Sequence, residues 1–317
     1  MQYLNDFLQK QILFVFPKKD NVNKIHFHNE NIRLLENDKP LNQISCHKLL
    51  AIFIVGDISV TSVLLKKLKL YGISMFFMNY NFDVRAKLSS SAEGNYILRQ
   101  RQYLVKSNLC IAKHIVKNKI NNQFILTKEY YNKLEYSERK NKIFKKIDLA
   151  KNHQELLGIE GVFAKEYFSN LFSAINWKSR LPRTKCDIPN YLLDIGYTIL
   201  FNIIDAQLCL FGFDTYKGYY HKLFFQRKSL TCDIVESFRC IIDKQIISSY
   251  NLKQIHKIDF VYKNGRYWLS FDASQKYVHI FTQAIMNHKQ EIYKYIYSFY
   301  KQIFNEKNNY PKFRIKG

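Results

Sequence analysis

A chain of 317 residues, 47% of them hydrophobic, exceeds what one hydrophobic core usually organises, so we expect a globular protein of two domains. Its 49 Lys and Arg against 26 Asp and Glu leave a formal charge of +23, an excess that repels itself unless a polyanion compensates it. The six cysteines form no C-x-x-C pair, which excludes the usual thiolate zinc site and favours reduced thiols in the cytoplasm. Nucleic acid is therefore the expected partner, with a solvated basic surface as the alternative.

The charge is uneven along the chain. Residues 1–90 carry 12 basic and 7 acidic side chains, a net +5, which leaves +18 for the remaining 227 residues. The later part of the chain should therefore meet the phosphates. Near the start, the apolar run Ile12–Phe16 ends at Pro17 and is too short for the core of a signal peptide, so no export is predicted.

The first 90 residues have mainly strand patterns. Turn-forming residues at 29–31 predict a hairpin between two of the strands. Apolar residues at helical spacing between Val60 and Tyr71, followed by Gly72, predict one helix. The predicted strands are Ile12–Phe16, Lys24–His28, Ile32–Glu36, Leu49–Val55 and Ile73–Met78.

Residues 79–95 show no sustained period and are interpreted as a linker. After them the period becomes helical, and Asn264-Gly265 predicts one hairpin within 259–269. The apolar stretch Tyr191–Phe213 contains carboxylates, so a buried core helix is predicted rather than a membrane span. Helices are predicted at 96–119, 122–135, 138–157, 159–176, 190–212 and 277–304, with a basic tail from residue 305.

The predicted fold class is therefore α+β. A small β-rich N-terminal domain occupies residues 1–90, and a larger, mainly α-helical domain with one β-hairpin occupies residues 96–317. The second domain contains the acidic residues and the histidine that could carry chemistry.

Glu160 and His221 are the first two candidates. Glu160 lies between Gly158 and Gly161, small residues that let other backbone or a ligand approach closely, although taken alone it also fits an exposed glutamate on a helix. His221 follows Gly218 and two tyrosines, a setting in which a hydrogen-bonded histidine is more common than a metal ligand.

Asp233 and Glu236 are three residues apart, so on a helix they project from one face and could bind one metal ion. The same spacing fits a capping box with Asp233 as N-cap and Glu236 at N3, and the local sequence leaves both interpretations open. Carboxylate oxygens with a single imidazole suit Mg²⁺ or Mn²⁺ better than zinc held by thiolates. A metal ion would also explain acidic residues in so basic a chain, because it offsets their repulsion of phosphate.

Four motifs occur in order along the second domain: Glu160-Gly161-x-x-Ala164-x-x-Tyr167-Phe168, the run 189–197, the segment 212–221, and Ser229-Leu230-x-x-Asp233-Ile234-Val235-Glu236-x-Phe238-Arg239. Their order and spacing resemble the CRISPR-associated Cas1 family. Segment 111–123 and the strand-helix-strand pattern between Gly56 and Met78 extend the resemblance over nearly the whole chain. The resemblance implies that Glu160, His221 and Glu236 are metal ligands and that Asp233 is an additional acidic member of the catalytic site.

The resemblance further implies a metal-dependent DNA endonuclease and integrase. It would insert short DNA fragments into a CRISPR repeat array by transesterification with a DNA 3′-hydroxyl, using Mg²⁺ or Mn²⁺. The implied partners are double-stranded DNA with 3′ ends, CRISPR repeat DNA, a second copy of the chain bound through the β-rich domain, and the Cas2 protein in a larger integration complex. No membrane is expected. Side chains that could grip phosphates, with solvated loop charge as the alternative, are Arg239, Lys178, Arg180, Arg183 and Lys185.

Two other functions remain open at this stage. A metal-dependent nuclease that hydrolyses branched DNA would use the same ligands, because water and a 3′-hydroxyl attack in the same way. A non-catalytic DNA-binding scaffold would use the acidic residues as helix caps and ion-pair partners. The ordered set Glu160, His221 and Glu236 favours catalysis over the scaffold.

Overall fold

The computed structural model describes residues 10–18, 21–79, 84–88, 95–106, 108–175, 177, 179–304 and 309–316. The strands in these ranges are β1 Gln11–Val15, β2 Asn23–His28, β3 Asn31–Glu36, β4 Lys39–Ser45, β5 Leu49–Val55, β6 Ser59–Val60, β7 Ser74–Met78, β8 Val84–Leu88, β9 Phe260–Lys263 and β10 Arg266–Leu269. The helices are α1 Ser62–Tyr71, α2 Tyr96–Leu104, α3 Asn108–Leu126, α4 Lys133–Leu149, α5 His153–Leu171, α6 Ile188–Phe211, α7 Ser229–Glu236, α8 Arg239–Asn251, α9 Phe271–Asn287 and α10 Lys289–Phe304. A β-rich region thus precedes a mainly helical one, which confirms the predicted α+β class.

The β-rich region consists of two four-stranded sheets, with orders β1-β5-β7-β8 and β4-β3-β2-β6. In the first sheet β1, β5 and β7 are parallel, and β8 pairs antiparallel at the edge. All seven residues of β5 are buried, as expected for a continuous apolar run in a parallel strand covered on both faces. The predicted hairpin is confirmed: Asn29 and Glu30 have positive φ and connect β2 to β3.

The first sheet joins the two parts of the protein. Phe53, Val55 and Phe76 on one face belong to the same hydrophobic core as the helices, while Ile52 and Ile54 on the other face pack with α1 and the second sheet. The alternation follows from the period of two along a strand. Because one core crosses the junction, packing in the β-rich region affects the position of the helices behind it.

Helix α6 is the central helix of the second part, and α8, α9 and α10 all contact it. Among the described residues it is the one helix long and apolar enough to cross a membrane, yet 83% of its most apolar window is buried inside the protein. Asp187 caps its N-terminus and Gly212, with φ +89°, ends it. The prediction of a buried core helix is confirmed.

Several predicted boundaries are wrong. The supposed linker 79–95 contains strand β8, which pairs with β7. The helix predicted at 96–119 is divided near Val105, whose side chain is buried. Helix α3 then runs on to Leu126, and the helix predicted at 122–135 does not form, because Asn132 and Glu135 make a capping box that starts α4. The helix predicted at 277–304 is divided at His288.

The C-terminal segment docks on α3 in the part of the predicted tail that is described. The Asn118 side chain donates to the Phe313 carbonyl at 2.6 Å and accepts from the Phe313 amide at 3.1 Å. The Asn122 side chain accepts from the Ile315 amide at 3.0 Å. Phe313 and Ile315 are buried, so the segment 309–316 is anchored in the core, while Lys312, Arg314 and Lys316, which alternate with them, are exposed.

A buried aspartate links three helices of the second part. The Asp243 carboxylate on α8 accepts a hydrogen bond from the Tyr167 hydroxyl of α5 at 2.7 Å and another from the Tyr197 hydroxyl of α6. Burial raises the pKa of Asp243 to about 6, although the two tyrosine hydroxyls and Arg239 oppose the rise. The folded protein therefore binds a proton here more tightly than the unfolded chain does.

We predict that Asp243 makes the protein less stable as the pH rises from about 4 to about 6. The pKa is raised on folding, so the penalty is absent below the ordinary value of 3.8 and complete above about 6, where it reaches about 3 kcal/mol. Asp243→Asn should lack this dependence. Urea unfolding of both proteins across this pH range measures the difference, and a free-energy difference that does not change with pH would contradict the prediction.

Candidate active site

The centre of the site is an ammonium group between two carboxylates from different helices. Lys119 of α3 forms ion pairs with Glu160 of α5 and, at 2.5 Å, with Glu236 of α7. Only 10% of the Lys119 side chain, 13% of Glu160 and 4% of Glu236 is exposed. Three charges have therefore been withdrawn from water together, which is tolerable only because they are paired.

The charges alter one another's protonation. Burial by itself would raise the pKa of Glu236, but Arg239, Lys119 and His221 outweigh it and hold that pKa at about 2. Burial would likewise lower the pKa of Lys119, but Glu236 and Glu160 outweigh it and raise the value. Glu236 is thus ionised and Lys119 charged near neutral pH.

Two further side chains complete the surroundings of the carboxylates. The Tyr220 hydroxyl donates a hydrogen bond to Glu160 Oε2. Arg239 Nη2 lies 3.0 Å from Glu236 Oε1, and its guanidinium stacks over the Tyr197 ring at 4.8 Å. Each carboxylate therefore has a partner in addition to Lys119.

His221 is held by Asp233. Its Nδ1 lies 2.7 Å from Asp233 Oδ1, and its backbone amide donates to the same oxygen at 2.9 Å. If Nδ1 of a neutral ring donates to a carboxylate, the lone pair of Nε2 is available, which is how carboxylates that do not touch the metal orient metal-binding histidines. His221 also lies close enough to Glu236 to interact with it electrostatically.

The structure corrects the interpretation of Asp233 as a helix cap. Helix α7 begins at Ser229 after Lys228, so Asp233 lies inside the helix. Its Oδ2 accepts the Tyr219 and Tyr220 amides at 2.6 and 3.0 Å, and its Oδ1 accepts both His221 donors. With its side chain fully buried and its acceptors occupied, Asp233 positions the preceding loop and His221.

The glycines near the site differ in what they require. A Cβ at Gly218 would lie 2.7 Å from Ser229 and 2.9 Å from Asp233 Oδ2, so the loop can approach α7 only without a side chain there. A Cβ at Gly158 or Gly161 would meet nothing within 4 Å. The predicted close approach beside Glu160 is therefore not made by any described part of this chain.

In the part of the chain that the structure describes, no group of three or more His, Cys, Asp or Glu side chains is arranged to hold a metal ion. In the structure Glu160 and Glu236 both form an ion pair with Lys119, but His221 does not join them in one metal-binding group. The chemistry of the donors nevertheless fits a hard divalent ion, because two carboxylates already share a positive charge and a neighbouring imidazole has a free nitrogen. The Lys119 ammonium takes the place between the carboxylates that such an ion would need.

Four of the five predicted phosphate-binding residues line one cavity of about 590 Å³, which also contains Arg266 and Tyr197. The four are Arg180, Arg183, Lys185 and Arg239. Arg180 is paired with Asp194 at 2.6 Å, so its charge is partly compensated. Lys178 lies outside the described residues. The clustering produces a basic surface next to Glu236, whereas binding of phosphate there stays a prediction.

Sequence reasoning missed Lys119 and Tyr220 as members of the site. Lys119 lies in α3 with Asn118, Asn122 and Gln123, and all four are buried. Their spacing of one, four and five residues places them on one face of a helix, and this is a signal that could have been noticed. The identity of their partners, however, depends on other helices.

The fold and site can be compared with known proteins. The sequence model of the family described as "CRISPR associated protein Cas1" matches residues 19–283, so the chain belongs to this family. It is 29% identical over 264 residues to the CRISPR-associated protein Cas1 3 of Methanobrevibacter ruminantium, covering 76% of this chain and 79% of the relative. It is 25% identical over 279 residues to the CRISPR-associated endonuclease Cas1 1 of Thermodesulfovibrio yellowstonii, covering 81% and 86%.

Solved structures show the same fold. The Cas1 protein of Thermotoga maritima superposes with a TM-score of 0.82 at 20% identity, covering 97% of this chain and all of that one. A casposase bound to an integration product superposes with a TM-score of 0.81 at 18% identity, covering 97% and 96%. A chain of a Cas6-RT-Cas1–Cas2 complex superposes with a TM-score of 0.77 at 25% identity, covering 96% of this chain and 36% of that one.

We predict that Gly218→Ala destabilises the protein by about 1–3 kcal/mol, because the added methyl group overlaps Ser229 and the carboxylate that holds the loop. Gly158→Ala is the matched control: it adds the same methyl group in open space inside α5 and should stabilise by up to about 1 kcal/mol. Urea unfolding measures both. Equal effects of the two substitutions would show that loop 218–221 does not need to approach α7 so closely.

Proposed function

We propose that this chain is a metal-dependent DNA endonuclease and integrase that inserts short DNA fragments into a CRISPR repeat array. The observation that carries the proposal is the pair of buried carboxylates, Glu160 and Glu236, that share one cation beside a histidine held by Asp233. Burying these charges costs free energy, and carboxylates that converge on one position with a perturbed pKa are typical of catalytic sites.

Glu160, Glu236 and the free nitrogen of His221 are the proposed ligands of Mg²⁺ or Mn²⁺. Such an ion, when bound, polarises a scissile phosphate and lowers the pKa of a hydroxyl group that attacks it. Asp233 keeps the His221 ring in one tautomer and orientation. Tyr220 fixes the carboxylate of Glu160 from the other side.

DNA is the proposed substrate, both as double-stranded DNA with 3′ ends and as CRISPR repeat DNA. The formal charge of +23 supports a polyanionic partner, and Arg183, Lys185, Arg239 and Arg266 line a cavity beside Glu236 that could receive phosphates. Attack of a DNA 3′-hydroxyl on a phosphodiester forms one P–O bond and breaks another, so joining consumes no further reagent. One structural neighbour, at 18% identity, is a casposase bound to an integration product.

The proposed assembly contains a homodimer formed through the β-rich domain at residues 1–90 and the Cas2 protein, in the cytoplasm. The Cas2 part of this proposal is supported by a structural neighbour at 25% identity, a chain of a Cas6-RT-Cas1–Cas2 complex. Hydrolysis of branched DNA without joining is a second candidate, supported by the relatives named endonucleases. An assay that follows joined and cut products separately distinguishes the two.

Metal binding can be tested without activity. Lys119→Met leaves two buried carboxylates without their shared cation, so in EDTA the free energy of unfolding should fall by about 3–5 kcal/mol. Mn²⁺ at about one hundred times its dissociation constant should restore about 2.7 kcal/mol. Lys117→Met is the control on the same helix, because its partner Asp148 is 60% exposed and the pair contributes little.

Thermal and urea unfolding with and without Mn²⁺ measure these effects. If Lys119→Met does not fold, the wild-type protein still gives the answer: Mn²⁺ should raise its Tm, and Glu236→Gln should remove that rise. Unfolding that is insensitive to Mn²⁺ in both proteins would contradict the proposed ligands.

Catalysis and DNA binding should separate in His221→Ala. Joining of a DNA 3′ end to a repeat substrate should fall by about 100-fold or more, since one metal ligand is lost. DNA affinity and its salt dependence should stay within about twofold, because phosphate binding is spread over many Lys and Arg residues.

The measurements for this variant are a strand-transfer assay with purified Cas2 and Mn²⁺, and a DNA titration at several salt concentrations. His256→Ala, at an exposed histidine, is the control. Full joining activity in His221→Ala would refute its role as a ligand, and parallel loss of folding and binding would make it a structural residue.

A further inference from the structure

The loop that follows His221 exposes three consecutive apolar side chains. Leu223, Phe224 and Phe225 are 66%, 70% and 82% exposed. Exposed apolar side chains do not gain the free energy that burial would give, and they promote aggregation. A run of three is therefore typical of a binding surface. We call residues Lys222–Lys228 the aromatic loop.

The aromatic loop is closed by its own hydrogen bonds. The Lys222 carbonyl accepts from the Arg227 guanidinium and from Ser229 Oγ, the latter at 3.1 Å. The Arg227 amide donates to the Phe224 carbonyl at 3.0 Å, and Gln226 has a φ of +56°. The turn therefore presents its apolar tip outward with little freedom to fold it back.

Both ends of the loop are anchored by buried aspartates. On one side the His221 amide and ring bond Asp233. On the other, Lys228 Nζ lies 3.0 Å from Oδ2 of the buried Asp205. The apolar tip begins two residues after His221 and is consequently held near it.

The charges around the tip match a nucleic acid. Lys222, Arg227 and Lys228 flank the apolar residues, and the sequence has no acidic residue from 222 to 232. The Arg227 guanidinium lies 5.7 Å from the centre of the Phe224 ring. Aromatic rings combined with cations form stacking platforms for single-stranded bases, whereas an apolar protein interface is depleted of lysine.

We propose that the aromatic loop stacks Phe224 and Phe225 on unpaired bases at the end of the DNA strand that reaches His221. The inference rests on the proposed function, in which DNA ends are the substrate. It further specifies that the loop contacts unpaired bases at such an end. Bases inside a duplex already stack on their neighbours, so the rings reach only bases that are frayed or single-stranded. Lys222 and Arg227 contact the phosphates of the same strand.

The test uses the full-length protein and two DNAs with equal numbers of base pairs. One is blunt, and the other has an unpaired 3′ overhang that contains 2-aminopurine. Fluorescence anisotropy measures the affinity, and quenching of 2-aminopurine measures stacking. The variants are Phe224→Ser with Phe225→Ser, Phe225→Tyr as the aromatic replacement, and Ile258→Ser as the control, since Ile258 is 88% exposed elsewhere.

The double serine variant should lose affinity for the overhang DNA by about tenfold or more and lose the quenching, while its affinity for blunt DNA stays within about twofold. Phe225→Tyr and Ile258→Ser should behave like the wild type. The proposal is overturned if overhang affinity is unchanged, or if both DNAs are weakened equally. It is also overturned if gel filtration shows that the double variant alters only the oligomeric state, which would make the tip a protein contact.

The outcomes separate this inference from the proposed function. Wild-type protein that binds neither DNA would overturn both. If the wild-type protein binds and joins DNA, and the double serine variant binds both DNAs as tightly as the wild type does, only the proposed role of the aromatic loop is overturned.

Discussion

The arrangement of the helical part depends on one buried ammonium group. Lys119 can stay charged out of water only if Glu160 and Glu236 are both within contact distance, and these three residues belong to α3, α5 and α7. Any packing that separates two of the helices leaves an uncompensated buried charge, which costs several kcal/mol. The apolar core permits many helix arrangements, and this ion cluster discriminates strongly among them.

The surrounding structure keeps this cluster in place. The C-terminal segment clamps α3 through Asn118 and Asn122, whose side chains bond the backbone of Phe313 and Ile315. The Asp233 carboxylate in turn accepts hydrogen bonds from the backbone amides of residues 219–221. These bonds fix the loop and the histidine relative to α7. Buried polar groups of this kind are fully satisfied and therefore specify one geometry.

The cluster also reconciles an acidic centre with a strongly basic protein. Ionised carboxylates alone would repel DNA phosphate, yet Lys119 and Arg239 neutralise them within the protein. The long-range field of the remaining lysines and arginines can then attract a polyanion to the site. Local acidity and overall basicity thus act at different distances, because the field of a neutralised ion cluster decays faster with distance than the field of a net charge.

The sequence by itself determined the features that arise from local chemistry. The apolar run of β5, the turn at Asn29 and Glu30, and the period of α6 are each encoded by neighbouring residues, and the ordered motifs were sufficient to indicate the family.

Tertiary structure decided what depends on distant residues. Lys119 meets Glu160 across 41 residues. Strand β8 forms inside an apparent linker because β7 has an open edge with which it can pair. Asp233 has the spacing of a helix cap, and only the fold of loop 218–221 against α7 turns its carboxylate into the acceptor that holds His221. Such pairings contribute no periodicity to the sequence, because their free energy comes from desolvated charges and amides that meet only after the chain has folded.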